Sequence, residues 1–553
     1  MKKIFFAIFL SCLLVFNLNS SVLSSIRLSE DAIPATLLPF NLLDGKGLYF
    51  DTYIHEFKKS STYIYFFQHY KNHYVSFYPF FSGFIALPLY LPVYILLGRY
   101  NLTGMENLLN WSFLMGKISA SFFASLSVGL LFLLLQKLFG NKKLSIAFSL
   151  IFAFATQTFS ISSQVLWQHG VANLFLILSL FFYVRNKKAG SLFFAVCSFW
   201  ARLTYFPYLI VLLTAVAVSS KRKLEIAILL LISVLGVSAL LLFNFFYTGS
   251  VLGGYANSSK AQLGSIVNIL GVIFSPARGL IFYSPIFIFG IIGIGWVFYK
   301  RYKLSIPLKN VLLINSFYLV SVILINALFL YWWGGNSWGS RLLTDSTVCA
   351  VILSAFLYRE IKNLFFKIFF WLLILYSVGI QIIGVFYFPR GSWNEYPENV
   401  DTHQERLWDF QDNPITRSFL TGPEIAPFAK WVYFFQGIPN PGRGFPVCSL
   451  EKVKEDKLLS YRMITLQVDN LSDQEILPYS DPPLTIHEVY ASNNKTIGNI
   501  SFVPSFFPLV WQKGESFEST LLIVPPYKNK AYSVLLILER SGIIGCTLEL
   551  RVL

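Results

Sequence analysis

Apolar stretches long enough to cross a bilayer recur along most of this chain, and they constrain its fold more than any motif does. A hydrocarbon core of roughly 30 Å takes about 20 residues of helix. Runs near residues 4–26, 112–135, 144–163, 169–184, 224–246, 279–299, 308–330, 345–358 and 363–388 approach that length. The stretch 189–219 adds two shorter spans broken around Trp200, Ala201 and Arg202, so the expectation is a polytopic α-helical membrane protein of about eleven crossings. With 55% hydrophobic and only 13% charged residues, the 553-residue chain cannot be wrapped in a soluble surface. A net charge of +16 would point to nucleic acid in a soluble protein. Here the basic residues sit beside apolar runs, so they read as orientation signals, and no nucleic acid is expected.

Those signals fall in every second loop: Lys137, Lys142 and Lys143; Arg185, Lys187 and Lys188; Lys221, Arg222 and Lys223; Lys300, Arg301 and Lys303; Arg359 and Lys362. The positive-inside rule assigns these loops, with Lys2 and Lys3, to the cytoplasm. The amino terminus also has the form of a cleavable signal peptide; a retained first helix is the reading preferred, because apolar character resumes from Val22 to Ile26. The alternation works only if the apolar segment 78–98 does not cross. It carries Pro79, Pro88 and Pro92, which kink or break a helix. The segment is therefore expected as a juxtamembrane or re-entrant element in a long first outer loop, residues 27–110, inside a membrane module of residues 1–388.

Beyond residue 388 long apolar runs stop. Residues 389–449 are rich in Pro, Gly and aromatics and read as an irregular outer-face segment. Residues 450–553 alternate in the manner of strands, as in Arg462 to Val468, with turn signals such as Asn493-Asn494, and predict a small exported β-sandwich-like domain. Of the cysteines, Cys12, Cys197 and Cys349 lie in apolar segments as packing residues, while Cys448 and Cys546 fall in the exported part, where pairing is an open option. None has metal-ligand spacing.

Polar groups near the outer mouths carry the functional reading, because ionisable residues at membrane depth are costly and line cavities or pathways. Glu30 and Asp31 open the outer loop; a carboxylate there can take a proton from a hydroxyl nucleophile, or Ser29 or Asp31 can cap the next helix. Lys117, Arg278, Arg341 and Arg202 sit at span ends, where cations suit phosphate oxygens or snorkel to headgroups. His169 lies at the outer end of a span, to orient a substrate or to serve as an interfacial residue. The segment from Tyr331 to Arg341 combines glycines with Trp338, which can stack on a sugar or join the aromatic belt; Tyr283 and Tyr255 are further substrate-binding candidates. Asp345, four residues after Arg341, reads as its ion partner.

The arrangement resembles the GT-C superfamily of membrane glycosyltransferases, which includes protein O-mannosyltransferases and the aminoarabinose transferases of lipid A, and more closely a bacterial subgroup of GT-C-like proteins. The matching pieces are Asp31-Ala32-Ile33-Pro34 with Leu38 to Leu43, Phe77-Tyr78-Pro79-Phe80, Phe243-Asn244 through Tyr247 to Ser250, Arg278-Gly279-Leu280 with Tyr283-Ser284-Pro285, and Trp338 to Arg341. The likeness covers residues 1–390 and lies in the order of the motifs. It implies a GT-C-like bundle whose cavity faces outward, with Asp31 matching the loop acid that acts as general base and Lys117 standing where relatives place a cation toward the donor phosphate. Two departures stand out: His169 falls near a position often acidic in relatives, and Glu30 precedes Asp31 where a common pattern is Asp followed by Glu, so either acid is a candidate base.

The resemblance thus implies inverting transfer from a polyprenyl-phosphate-sugar donor to a glycan, lipid or protein acceptor at the outer face of the inner (cytoplasmic) membrane. Lys117, Arg278, Arg341 and Arg202 would hold the phosphate, and His169, Trp338, Tyr283 and Tyr255 the substrate. No nucleotide is required, no cofactor is assigned, and a divalent metal is left open because no ligand cluster stands out. A lipid-linked sugar flippase and a non-catalytic envelope scaffold are the rival readings; a transporter would place its polar residues near the midplane on repeated, discontinuous helices.

Overall fold

The computed structural model describes residues 1–19, 30–60, 64–220, 222–257, 265–388, 393–437, 447–480, 483–492, 495–503, 507–524 and 532–552. Residues 20–29, which include the end of the first predicted span and Ser29, lie outside the described residues, as do Lys221 and the Asn493-Asn494 turn.

Helix α1 (Lys2–Phe16) packs against α5 (Met105–Phe139), and between them in sequence come α2 (Ile33–Leu43), α3 (Asp51–Ser60), the hairpin of β1 (Phe67–Tyr70) and β2 (His73–Ser76), and α4 (Phe81–Arg99). Next come α6 (Lys142–Phe154), α7 (Gln168–Val184), α8 (Lys188–Ala201), α9 (Phe206–Val218) and α10 (Lys223–Thr248). Short α11 (Asn268–Phe274) and α12 (Leu280–Tyr283) lead to α13 (Ile286–Lys300), α14 (Ile306–Ala327), α15 (Thr347–Glu360) and α16 (Leu364–Phe386). Local chemistry sets the reversals. Gly140 ends α5 in the left-handed region at φ 68°, and the Asn141 side chain then caps α6 by accepting from Leu144 N at 3.0 Å.

Among the described residues, six helices are long and apolar enough to cross a membrane: Phe81–Arg99, Met105–Phe139, Lys223–Thr248, Ile306–Ala327, Arg341–Glu360 and Leu364–Phe386. The chain is thus a multi-pass helical membrane protein with a C-terminal β domain. In segment 78–98 the prolines do not break the helix. Pro88 and Pro92 lie inside α4, yet the helix is continuous. Its neighbours fasten it: Tyr90 Oη donates to Thr36 O at 3.0 Å on α2 and approaches Ser112 O at 3.2 Å on α5. In apolar surroundings the helix keeps its remaining backbone bonds because nothing else is there to replace them.

The basic loops gather at one end of the bundle. Lys188 at the start of α8 meets Glu225 of α10 at 3.2 Å, Lys300 of α13 meets Glu360 of α15 at 3.4 Å, and Arg359 lies over the Phe139 ring that closes α5 at 5.9 Å. The polar cluster described below lies at the opposite helix ends.

The segment expected to be irregular contains α17 (Pro414–Thr421), capped by the Asn413 side chain, and α18 (Ala426–Phe435). Then follow β3 (Cys448–Leu458), β4 (Tyr461–Asn470), β5 (Thr485–Ser492), β6 (Lys495–Phe502), β7 (Ser516–Ile523), β8 (Tyr532–Arg540) and β9 (Ile543–Val552). They pair antiparallel in two sheets, ordered β3-β4-β7 and β6-β5-β8-β9, around a core that includes Ile464, Leu466, Ile486, Trp511, Val534 and Leu536. Cys448 and Cys546 form a disulfide that ties β3 to β9 across the sheets, with Cα atoms 5.3 Å apart. The domain docks through Tyr461, whose hydroxyl donates to Asp412 Oδ1 at 2.7 Å, while Arg417 grips the same carboxylate and Arg406 lies 3.5 Å from it.

Candidate functional site

A 3-10 turn, Glu30–Ala32, delivers Asp31 to the start of α2, where Pro34 fits because the first helical turn has no use for its missing N–H. From the far part of the chain the loop 331–340 brings Arg341. Gly339 in that loop has φ +55°, and a Cβ there would stand 2.4 Å from the Tyr283 ring, so glycine is required twice over. Arg341 Nη1 donates to Asp31 Oδ2 at 2.7 Å, Nη2 donates to Gly334 O at 2.8 Å, and the guanidinium lies over the Trp167 ring at 4.9 Å. Asp31 Oδ1 accepts from the Tyr65 hydroxyl at 3.1 Å, and the Tyr78 phenol bonds the same carboxylate.

Two opposed effects act on Asp31. Burial favours the neutral acid, but the Arg341 guanidinium and the two phenols outweigh it and hold the carboxyl below its ordinary value. Burial and the Asp31 charge push the phenols of Tyr65 and Tyr78 up, so both serve as donors. Glu30 is exposed beside this pair and bonds Tyr65.

A second knot of charge adjoins the first. Arg202 follows the last residue of α8 in extended conformation; its Nε donates to Asp345 Oδ2 at 2.5 Å and its Nη1 to Gln168 Oε1 at 3.2 Å. Thr204 Oγ1 donates to the same Oδ2 at 2.7 Å, and His169 Nδ1 lies 2.7 Å from Asp345 Oδ1. Gln168 Oε1 also accepts from Tyr255 at 3.4 Å, and the Tyr255 ring meets that of Tyr78 at 6.0 Å, which joins the two knots. The buried Tyr255 phenol is accordingly influenced by Arg202, Asp31, Arg341 and Asp345 together.

Beside Tyr78 and Tyr255 opens an aromatic cavity of about 260 Å³, walled by Phe77, Phe81, Phe84, Trp200 and Phe243. Its roof is tight at Gly254, where a Cβ would fall 2.3 Å from Phe77 O. An apolar cavity whose Tyr78 and Tyr255 walls bond to a charged cluster suits an amphiphile with an anionic head.

No protein-family model, curated protein or solved structure matches the chain.

The structure therefore brings together Asp31, Glu30, Arg341, Arg202, His169 and Tyr255 of the candidates, holds Lys117, Tyr283 and Trp338 elsewhere, and ties Arg278 to the site only through the Gly334–Gly335 backbone that Arg341 also grips. Lys117 is buried on α5, its Nζ donating to Phe16 O at 2.7 Å, Ser163 O at 3.0 Å and Gln164 Oε1 at 2.9 Å. Arg278 is buried under the outer segment, donating to Trp333 O, Ala277 O, Gly335 O and Asn394 Oδ1 and lying over Trp393. Tyr283 and Trp338 meet edge to face at 5.1 Å in an apolar cluster with Ile161 and Ile380. Asp345 is not the partner of Arg341; it pairs with Arg202 and His169. Sequence reasoning missed the site roles of Tyr65, Gln168 and Thr204, while Tyr78 was visible only inside a resemblance motif. For a metal, Glu398, His403 and Glu405 bring ligand atoms within 4.8 Å of one another, but on segment 393–413 and not among the residues meeting at Asp31.

Proposed function

We propose that the protein is a GT-C-like glycosyltransferase that moves a sugar from a polyprenyl-phosphate donor to an envelope acceptor at the outer face of the inner membrane. The observation that carries this reading is the Asp31–Arg341 pair, formed by residues 310 apart in sequence and joined through the Tyr78 phenol to the wall of an aromatic cavity. The lipid chain occupies the cavity, and its phosphate meets Arg341 and Arg202. A phosphate competes with Asp31 for Arg341, so donor binding itself loosens the carboxylate. Asp31 then takes the acceptor hydroxyl proton, the acceptor oxygen bonds the anomeric carbon, and the sugar–phosphate C–O bond breaks with its electron pair leaving on the phosphate. The arginines stabilise that charge.

The topology proposed with it has eleven crossings, α1, α5 to α10 and α13 to α16, running alternately between the basic end and the Asp31 end. Helix α4 lies beside the outer leaflet, the basic loops and amino terminus face the cytoplasm, and the β domain is exported. The disulfide between Cys448 and Cys546 favours an oxidising compartment for that domain.

The test uses purified protein in detergent with radiolabelled polyprenyl-phosphate hexoses and pentoses. Transfer there needs no second compartment, so turnover distinguishes an enzyme from a flippase. Asp31→Asn should reduce it by about a hundredfold or more, and Glu30→Gln in parallel decides between the neighbours. Full turnover by Asp31→Asn removes Asp31 as the base.

A further inference from the structure

We infer that Asp345 is a positioning residue that fixes His169 as a hydrogen-bond acceptor at Nε2, so that this position selects a substrate carrying a hydroxyl or amino donor. The inference rests on the reading of the site as a sugar-transfer centre, but the arrangement behind it is independent of that reading.

Asp345 is fully buried and receives three groups: Arg202 Nε at 2.5 Å, Thr204 Oγ1 at 2.7 Å and His169 Nδ1 at 2.7 Å. A carboxylate paired with a guanidinium is ionised and can only accept. The nitrogen facing it must therefore carry the proton, which assigns the Nδ1–H tautomer. Arg202 already balances the single carboxylate charge, so a second cation at His169 would be buried without a counter-ion, and the ring is neutral. Its other nitrogen, Nε2, then has only a lone pair to offer; among the described residues none hydrogen-bonds it.

The surroundings limit what that lone pair can meet. Trp167 contacts the His169 ring at 6.2 Å and carries Arg341 over its own ring, which puts the imidazole beside the Asp31 pair. The nearby guanidiniums of Arg341 and Arg202 are donors to anions. An Nε2 acceptor adds the complementary function, one that a sugar hydroxyl or amine satisfies and a deoxy position does not.

Histidine-selective ¹⁵N labelling of the full-length protein in detergent tests the assignment, with His169→Gln identifying the signal by its loss. The expected wild-type spectrum has a protonated pyrrole-type Nδ1 and a pyridine-type Nε2; a protonated Nε2 would overturn the inference. Asp345→Asn should mix or invert the tautomers, and an unchanged ring would show that Asp345 does not set it. Two turnover variants separate use of Nε2 from mere packing. His169→Gln keeps an amide near Nε2, whereas His169→Asn keeps one only near Nδ1. The expected order is a loss of about tenfold for Gln and at least a hundredfold for Asn; the reverse order means that only the Nδ1 bond matters and sinks the proposed selectivity. Wild-type protein that transfers no sugar defeats the proposed function, while the spectra still report whether Asp345 grips the ring.

Discussion

Lys117→Met separates a cation that holds helices together from one that serves a substrate. The ammonium ends on Phe16 O, Ser163 O and Gln164 Oε1, and these acceptors depend on it unequally. Ser163 O also accepts from Ser121 Oγ at 3.0 Å, and Gln164 Oε1 from Asn19 Nδ2 at 2.7 Å. The Phe16 carbonyl, at the C-terminal end of α1 where a cation complements the helix dipole, loses most. Leaving one buried carbonyl unpaired costs about 1–3 kcal/mol, and weakening two others about 0.5–1 kcal/mol each. Relief from burying a charge offsets part of this, so the net loss comes to about 2 kcal/mol at the contact of α1 with α5. Thermal melting and steric trapping in detergent measure the loss, and binding of a polyprenyl phosphate is read on the same preparation. The expected result is lower stability with binding unchanged. A variant that melts with the wild type yet fails to bind the lipid phosphate refutes the reasoning and restores Lys117 to the site.

Further outcomes follow from the same contacts. Arg278→Lys loses the fork that joins three carbonyls and Asn394, and should cost roughly 2–4 kcal/mol in a melt while leaving lipid-phosphate binding unchanged. Gly254→Ala forces a Cβ against Phe77 O, and should displace the cavity roof and weaken lipid-phosphate binding at least tenfold by fluorescence titration. Because the folded carboxyl of Asp31 lies below its unfolded value, its contribution to stability is present above the ordinary carboxylate range and is lost as pH falls through the folded value. Melts of wild type and Asp31→Asn should therefore converge on acidification and differ most near neutrality. Reducing the disulfide, which closes a 98-residue separation, should cost the β domain roughly 4 kcal/mol, seen as faster proteolysis in reductant.

The helical membrane module and the β tail were legible because hydropathy reports the solvent around each segment directly. The apolar runs became α1, α5 to α10 and α13 to α16, and the alternating tail became two sheets. The site was legible only in part. Glu30, Asp31, Arg202, His169, Tyr255 and Arg341 were visible as polar residues at span ends, but charge alone does not say where a side chain finds its partners. Lys117 and Arg278 have the same signature and end on backbone carbonyls. Asp345 was paired with Arg341 for lying four residues on; residues 341–346 wind as a 3-10 helix, whose roughly 120° per residue turns positions four apart to different faces. The prolines of α4 do not interrupt it because Tyr90, Thr36 and Ser112 hold the helix from outside, a support that the sequence of the segment alone does not show.

Helix α5 has 35 residues and is therefore about 52 Å long, against a hydrocarbon thickness of roughly 30 Å. Some 20 Å of it must stand clear of the oily layer or lean steeply within it, and α2 and α4 are lashed to that upper third. Under the proposed function such a mast fixes the working height of the centre, with the lipid head lifted to it while the tail stays anchored below. Deleting two turns from Met105 onward should lower the platform by about 11 Å and leave the tail too long for the distance it has to bridge.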